Sequence, residues 1–113
     1  MKKIEAIIRP ERLNDVKQAL DDGGFHGMNI TQVTGRGAQR GIIHQGRGGE
    51  TVTVDILPKV KLEVVVGDQA VDRVIDAIIA AARTGNIGDG KIFVMPVEEA
   101  VRVRTGERGD VAI

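Results

Sequence analysis

The sequence predicts an α+β fold, a ferredoxin-like double βαβ sandwich built as one domain over residues 1–113. Two observations carry that prediction. Stretches with an apolar residue at every second position alternate with stretches in which apolar residues recur at helical spacing. The strand-plus-helix pattern also occurs twice: Leu13, Val16, Ala19 and Leu20 recur 58 residues later as Val71, Val74, Ala77 and Ile78, and Gly27 recurs as Gly85. A chain of 113 residues supports one core and leaves no surplus for a second.

The elements follow in order. Ile4, Ala6 and Ile8 alternate within residues 2–9 and predict the first strand. Pro10 opens a helix at the first-turn position, where its missing N–H is harmless, and Gly23-Gly24 closes it. Residues 35–49, "GRGAQRGIIHQGRGG", hold six of the fifteen glycines and three arginines. So long a run with little apolar content reads as a mobile loop, and such loops are usually functional. "TVTVDILPKVKLEVVV" resumes strand character, with Pro58 at a bend or edge and Leu62, Val64 and Val66 on one face. The second helix is expected to end in a left-handed cap at Gly85, before the strand "KIFV". In "AVRVRTGE" Arg102 and Arg104 alternate with Val101 and Val103, which predicts a late strand with two guanidiniums on one face. With both helices on one side, a second sheet face rich in Val, Ile and Leu is left in water. Burial is worth about 25 cal/mol per Å² of apolar surface, so a homo-oligomer is expected.

Composition removes several function classes. The formal charge is zero, so no basic excess drives generic binding to nucleic acid or anionic membranes. Phe25 and Phe93 are the only aromatic residues, too few for a base-stacking platform. No Cys, Ser or Tyr occurs, which removes disulfides, thiolate metal sites and most covalent nucleophiles. His26 and His44 have no clustered partner, and the acids sit where solvated helix and turn acids are expected, so an enzyme is the weaker hypothesis. The amino-terminal apolar run is cut by Arg9, Glu11 and Arg12, too soon for a signal peptide or a membrane span, and a cytoplasmic protein is expected.

The candidate chemistry lies in "TGNIGDGK". Gly88-Asp89-Gly90-Lys91 can form a tight turn whose amides converge on an anion, with Lys91 adding a point charge, although the spacing is neither a P-loop nor a dinucleotide fingerprint. Lys59, Lys91, Arg102 and Arg104 place four cations on or beside strand ends, which suits a polyphosphate if they converge. A plain helix-to-strand turn and a solvated strand face are the structural alternatives.

Over nearly its whole length the chain resembles the PII nitrogen-regulatory signal-transduction proteins. The matching stretches are "MKKIEAIIRPERLNDVKQAL", "GMNITQVTGRGAQRG", "RGGE", "DILPKVKLEVVV", "TGNIGDGKIFV" and "VRVRTGERGDVAI". The resemblance implies a homotrimer of ferredoxin-like subunits with sheets facing inward, and an ATP or ADP site at each subunit boundary. On one side would stand Gly35, Arg36, Gly37, Ala38 and Gln39, with Val65 beside the adenine and Gly88, Asp89, Gly90 and Lys91 around the phosphates. Met28, Asn29, Arg102 and Arg104 would come from a neighbouring chain; the family commonly has Thr at the position of Asn29. The resemblance also implies 2-oxoglutarate bound through Mg²⁺-ATP, with Gln39 as a Mg²⁺ ligand, Lys59 on a carboxylate and backbone from Gly37, Gly41 and Gly88. A mobile segment at about 37–55, the family's T-loop, would then govern an ammonium transporter or a nitrogen-assimilation enzyme. Arg47 at its tip would be the residue inserted into a transporter pore, recruiting the protein to the membrane. One departure is clear: "GRGGETV" replaces the family's tyrosine-bearing motif, Gly46 standing for the first Tyr, and the chain is one residue longer before "DILPKV". Tyrosine nucleotidylylation and serine phosphorylation are therefore impossible here. The rival readings are a small ferredoxin-like phosphohydrolase and a ligand-free trimeric adaptor.

Overall fold

The computed structural model describes the backbone of residues 1–42 and 50–113, and the side chains of residues 1–36 and 56–113. Its strands are β1 (Lys2–Ile8), β2 (Met28–Ile42), β3 (Glu50–Val66) and β4 (Gly90–Pro96), and its helices are α1 (Leu13–Asp22) and α2 (Val71–Ala82). The sheet is antiparallel in the order β2-β3-β1-β4, so each βαβ unit straddles a strand of the other. This is the ferredoxin-like arrangement read from the repeat.

The side-chain period explains the core. Ile4, Ala6 and Ile8 of β1 and Val60, Leu62, Val64 and Val66 of β3 point to one face, where Val16 and Leu20 of α1 and Val74, Ile78 and Ala82 of α2 cover them. Each fully buried aliphatic side chain contributes roughly 1.5–3 kcal/mol, so this layer is the main stabilising term. Pro10 starts a short 3-10 turn, Pro10–Arg12, that leads straight into α1.

Three sequence expectations change. The segment read as a loop from residue 35 is largely a ribbon, because Gly35–Ile42 of β2 pairs residue by residue with Glu50–Leu57 of β3. Gly85 does not cap α2: the helix ends at Ala82, the extended residue Arg83 donates its amide to the Ile79 carbonyl at 3.0 Å, and Gly85 lies beyond it with φ +89°. The open sheet face is also mixed rather than aliphatic. Across β3, β1 and β4 it carries Lys61, Ile7 and Lys91 in one row and Glu63, Glu5 and Phe93 in the next. Lys61 Nζ lies 3.5 Å from Glu5 and 3.4 Å from Glu63, so the centre of that face is an ion cluster. Large exposed apolar side chains stand on the edge strands, at Ile30, Phe93 and Val94, at Ile56 of β3 and Ile87 before β4, and in the carboxy-terminal segment, at Val101, Val103, Val111 and Ile113.

Candidate functional site

The turn between α2 and β4 is held from inside by one carboxylate. Asp89 Oδ2 accepts the amides of Thr84 at 2.8 Å and Gly85 at 2.9 Å, while Oδ1 accepts the Thr84 hydroxyl and the Arg9 Nε at 3.1 Å. The Thr84 hydroxyl bond, with further help from those two amides and Arg9, holds the Asp89 carboxyl well below the usual carboxylate range against an opposing cost of desolvation. An acid so engaged is turned away from any anion in the cleft; what it offers a ligand is the shape of the backbone.

Two cations anchor the carbonyls of the same turn. Arg9 Nη2 donates to the Ile87 carbonyl at 2.8 Å, and Lys59 Nζ donates to the Gly88 carbonyl at 2.5 Å. Peptide planes with their carbonyls turned to these cations turn their N–H groups the other way, and none of the described residues accepts from the Gly88 amide. Partial burial, then the nearby Arg9 charge, lowers the Lys59 pKa from its ordinary value. Backbone geometry requires glycine here: Gly88 has φ +101° and Gly90 φ +110°, and a Cβ on Gly90 would fall 1.8 Å from the Ile7 carbonyl oxygen.

Beside the turn, a cleft of about 480 Å³ is lined by Ile7, Gly35, Arg36, Leu57, Lys59, Ile87, Gly88, Gly90, Lys91 and Phe93. Gly35 leaves room for the lysine stem, since a Cβ there would stand 3.1 Å from Lys59 Cγ. Arg36, Lys59 and Lys91 are thereby gathered at one place from β2, β3 and β4, and Asp89 in the adjoining turn is already neutralised by Arg9. The arrangement suits a polyanion with an apolar portion.

The other expected residues stand at the far end of the sheet. Val65 is paired with Lys3, and Asn29 with Glu63, and both line a second cleft of about 700 Å³ that Phe25, Arg73 and Ile113 also border. Lys59 and Val65 are six residue steps apart along β3, roughly 20 Å at about 3.3 Å per step. Val65 thus belongs with Asn29 and not with the Gly35 side, contrary to the sequence expectation. Met28 precedes Asn29 in β2, half-buried against the core.

Arg102 and Arg104 do not lie on a strand. Residues 103–105 form a turn closed by a single bridge between Val101 and Arg108, with Gly106 at φ +73° and Gly109 at φ +81° reversing the chain. The alternation of Val and Arg there reflects no sheet. Arg102 donates to Glu107 Oε1 and to the Val111 carbonyl, each at 2.7 Å, whereas Arg104 is exposed in the turn. Gly37, Ala38, Gln39 and Gly41 are placed by their backbone register opposite Asp55, Val54, Thr53 and Thr51. Arg47 and His44 lie outside the described residues. His26 is exposed and sits 3.0 Å from Asp21.

Similarity searching agrees with this architecture. The family model for nitrogen regulatory protein P-II matches residues 1–107. The chain belongs to the P-II family. It is 58% identical to the nitrogen regulatory protein P-II of Azospirillum brasilense over 113 residues, covering all of both chains. It is likewise 58% identical to that of Haemophilus influenzae over 113 residues, again covering both chains completely. Against nitrogen regulatory protein P-II 2 of Methanothermobacter thermautotrophicus it is 54% identical over 113 residues, which is 100% of this chain and 97% of the relative.

Membership of the P-II family makes this chain a nitrogen regulatory protein with a signal-transduction role. Among the described residues no helix is long and apolar enough to cross a membrane. Two residues that shape the candidate turn, Arg9 and Thr84, were absent from the sequence-based set. The signals were slight: an arginine fixed before Pro10 and a threonine before Gly85.

Proposed function

We propose that this P-II protein is a cytoplasmic homotrimer that senses ATP or ADP together with 2-oxoglutarate at its subunit boundaries and regulates a transporter or nitrogen-assimilation enzyme through residues 37–55. The observation that carries the reading is the separation of two half-sites. Gly35, Arg36, Lys59 and the Gly88–Lys91 turn stand at one end of the sheet, and Asn29 and Val65 at the other. A nucleotide needs both a phosphate cradle and an adenine seat, and a second subunit set end to side would bring one of each together. The exposed apolar residues of β2, β4 and the carboxy-terminal segment supply surface for that contact.

The chemistry of the residues fits the effectors. Lys91, Arg36 and the Gly88 amide present donors to phosphate oxygens, and Arg102 and Arg104 of a neighbour would add guanidiniums. Among the described residues no cluster of three acidic or histidine groups could hold a divalent ion alone, so Mg²⁺ would arrive on the phosphates, with Gln39 as an added oxygen ligand. Lys59 links the two effectors. Its ammonium is bonded to the Gly88 carbonyl of the phosphate turn, and a dicarboxylate that draws Lys59 away alters the same turn.

Calorimetric titration with ATP, then with 2-oxoglutarate in the presence and absence of Mg²⁺-ATP, tests the reading. Tight 2-oxoglutarate binding is expected only with Mg²⁺-ATP, and equal binding without nucleotide refutes the coupling. A ligand-free adaptor would show no heat and no thermal shift, whereas ATP at about 100 Kd should add roughly 2.7 kcal/mol of stability. A phosphohydrolase would release phosphate catalytically and lose that activity in Arg104→Ala.

A further inference from the structure

Arg9 occupies an unusual place. It leaves the end of β1 with φ −64° and ψ 137°, ahead of Pro10, and its carbonyl accepts the Arg12 amide at 3.0 Å, so its backbone is fixed on both sides. From there its side chain crosses to a turn eighty residues further along. One guanidinium meets two acceptors: the Asp89 carboxylate through Nε at 3.1 Å and the Ile87 carbonyl through Nη2 at 2.8 Å. Nη2 also lies 3.2 Å from where a Gly88 Cβ would stand, so the guanidinium packs directly against the turn. A planar fork with donors fixed along one edge holds a carboxylate and a carbonyl at a set spacing, whereas a lysine's donors all radiate from one rotating nitrogen and fix no such spacing.

We propose that Arg9 is a positioning residue for polyphosphate binding, holding the Ile87–Gly90 turn in its anion-accepting shape through Asp89 and the Ile87 carbonyl without touching the phosphates. This rests on the reading of that turn as a nucleotide cradle. β1 is paired on both edges, with β3 and with β4, so the fork ties to a doubly held strand a turn otherwise anchored by its own Asp89 bonds and by Lys59. Without it the glycines at 88 and 90 leave the turn free to sample other shapes, and binding must order it again.

The test is ATP titration by calorimetry of the full chain, at two salt concentrations, for the parent and for Arg9→Gln, Arg9→Lys, Asp89→Asn and the Arg9→Gln/Asp89→Asn double variant. Arg9→Gln is expected to weaken ATP at least about tenfold. Arg9→Lys should weaken it comparably despite keeping the charge. The double variant should lose no more than the worse single variant, and the salt dependence of the affinity should match the parent's, because no phosphate contact has been removed. Full affinity in Arg9→Lys, additive losses in the double variant, or a reduced salt dependence in the double variant, which removes the Arg9 and Asp89 charges together, would each overturn the positioning role. Should Arg9→Gln fail to fold, Arg9→Lys decides the matter by itself. If the parent binds no ATP, the nucleotide reading fails; if the parent binds and Arg9→Gln binds equally, only the role of Arg9 fails.

Discussion

Replacing Gly90 with alanine is the sharpest perturbation the turn admits. Gly90 opens β4 opposite Ile8 with φ +110°, and an added Cβ would stand 1.8 Å from the Ile7 carbonyl oxygen and 2.9 Å from its carbon. A left-handed conformation costs an L-residue roughly 1–2 kcal/mol. A comfortable C···O approach is about 3.3 Å, so β1 and β4 must part by about 1.5 Å and the end of their ladder fails. Backbone groups left without partners there add about 1–3 kcal/mol, for a total of roughly 2–5 kcal/mol. Gly85→Ala is the matched control: φ is +89° but nothing lies within 4 Å of its Cβ, so only the conformational cost applies. Urea unfolding at fixed protein concentration compares the two, and with a slope of about 2 kcal/mol per M the Gly90→Ala midpoint should fall by about 1–2.5 M. A Gly90→Ala stability within about 0.5 kcal/mol of Gly85→Ala would refute the steric argument.

Asp89 has a folded pKa below its unfolded value, so its contribution is complete above the unfolded value near 4 and is lost as pH falls through the folded one. The stability gap between parent and Asp89→Asn should be flat from about pH 8 to 5 and shrink below about pH 4; a gap that widens on acidification contradicts this. Lys61 has its pKa raised by its bond to Glu63 and by the charge of Glu5, so its contribution is full below 10.5 and fades as pH rises through the higher folded value. In Lys61→Met, Glu5 and Glu63 face each other across the β1–β3 pair without their shared cation, and the melting temperature at about pH 7 should fall and recover in part on adding salt; an unchanged melting temperature contradicts this. Glu107→Gln weakens the ion pair on Arg102, and ADP affinity by calorimetry should rise about fivefold; unchanged affinity would show that Arg102 does not reach the ligand.

The parts of the fold that burial dictates were legible in the sequence. Ile4, Ala6 and Ile8 must face the helices together, and Val16 with Leu20 must face the sheet, so their periods are written in the residue types. Of the β2–β3 ribbon beyond Gly35 only the β3 side was legible, where Val52, Val54 and Ile56 alternate; the glycine-rich Gly35–Ile42 side follows no apolar period and is paired through backbone groups. Arg102 and Arg104 misled for the converse reason: alternation of two residue types also arises in a turn, and Gly106 and Gly109 decide which it is. In the candidate site, "GDGK" could be recognised as a turn for an anion. Arg9 could not be attached to it, since the contact spans eighty residues, and Val65 could be assigned to its half-site only once the register with Lys3 and Met95 was known.

Several functional groups in both halves of the proposed site already hold a substitute partner. Lys59 is bonded to the Gly88 carbonyl, Asp89 to Arg9 and Thr84, and Arg102 to Glu107 and the Val111 carbonyl. If effectors bind at Lys59 and Arg102 as proposed, binding is an exchange of partners and not the satisfaction of bare charges. A charge-assisted bond is worth about 1.5–3 kcal/mol against water, but far less against an internal bond that must be broken first. That would lower affinity, which suits the proposed sensor, because its occupancy would have to follow the effector concentration and not saturate. In the proposed mechanism the same exchange would carry the signal, because the released Gly88 carbonyl and Glu107 carboxylate would need new partners. The absence of tyrosine and serine from the sequence is compatible with that proposal, for a switch driven by exchanged bonds would require no covalent mark on the loop.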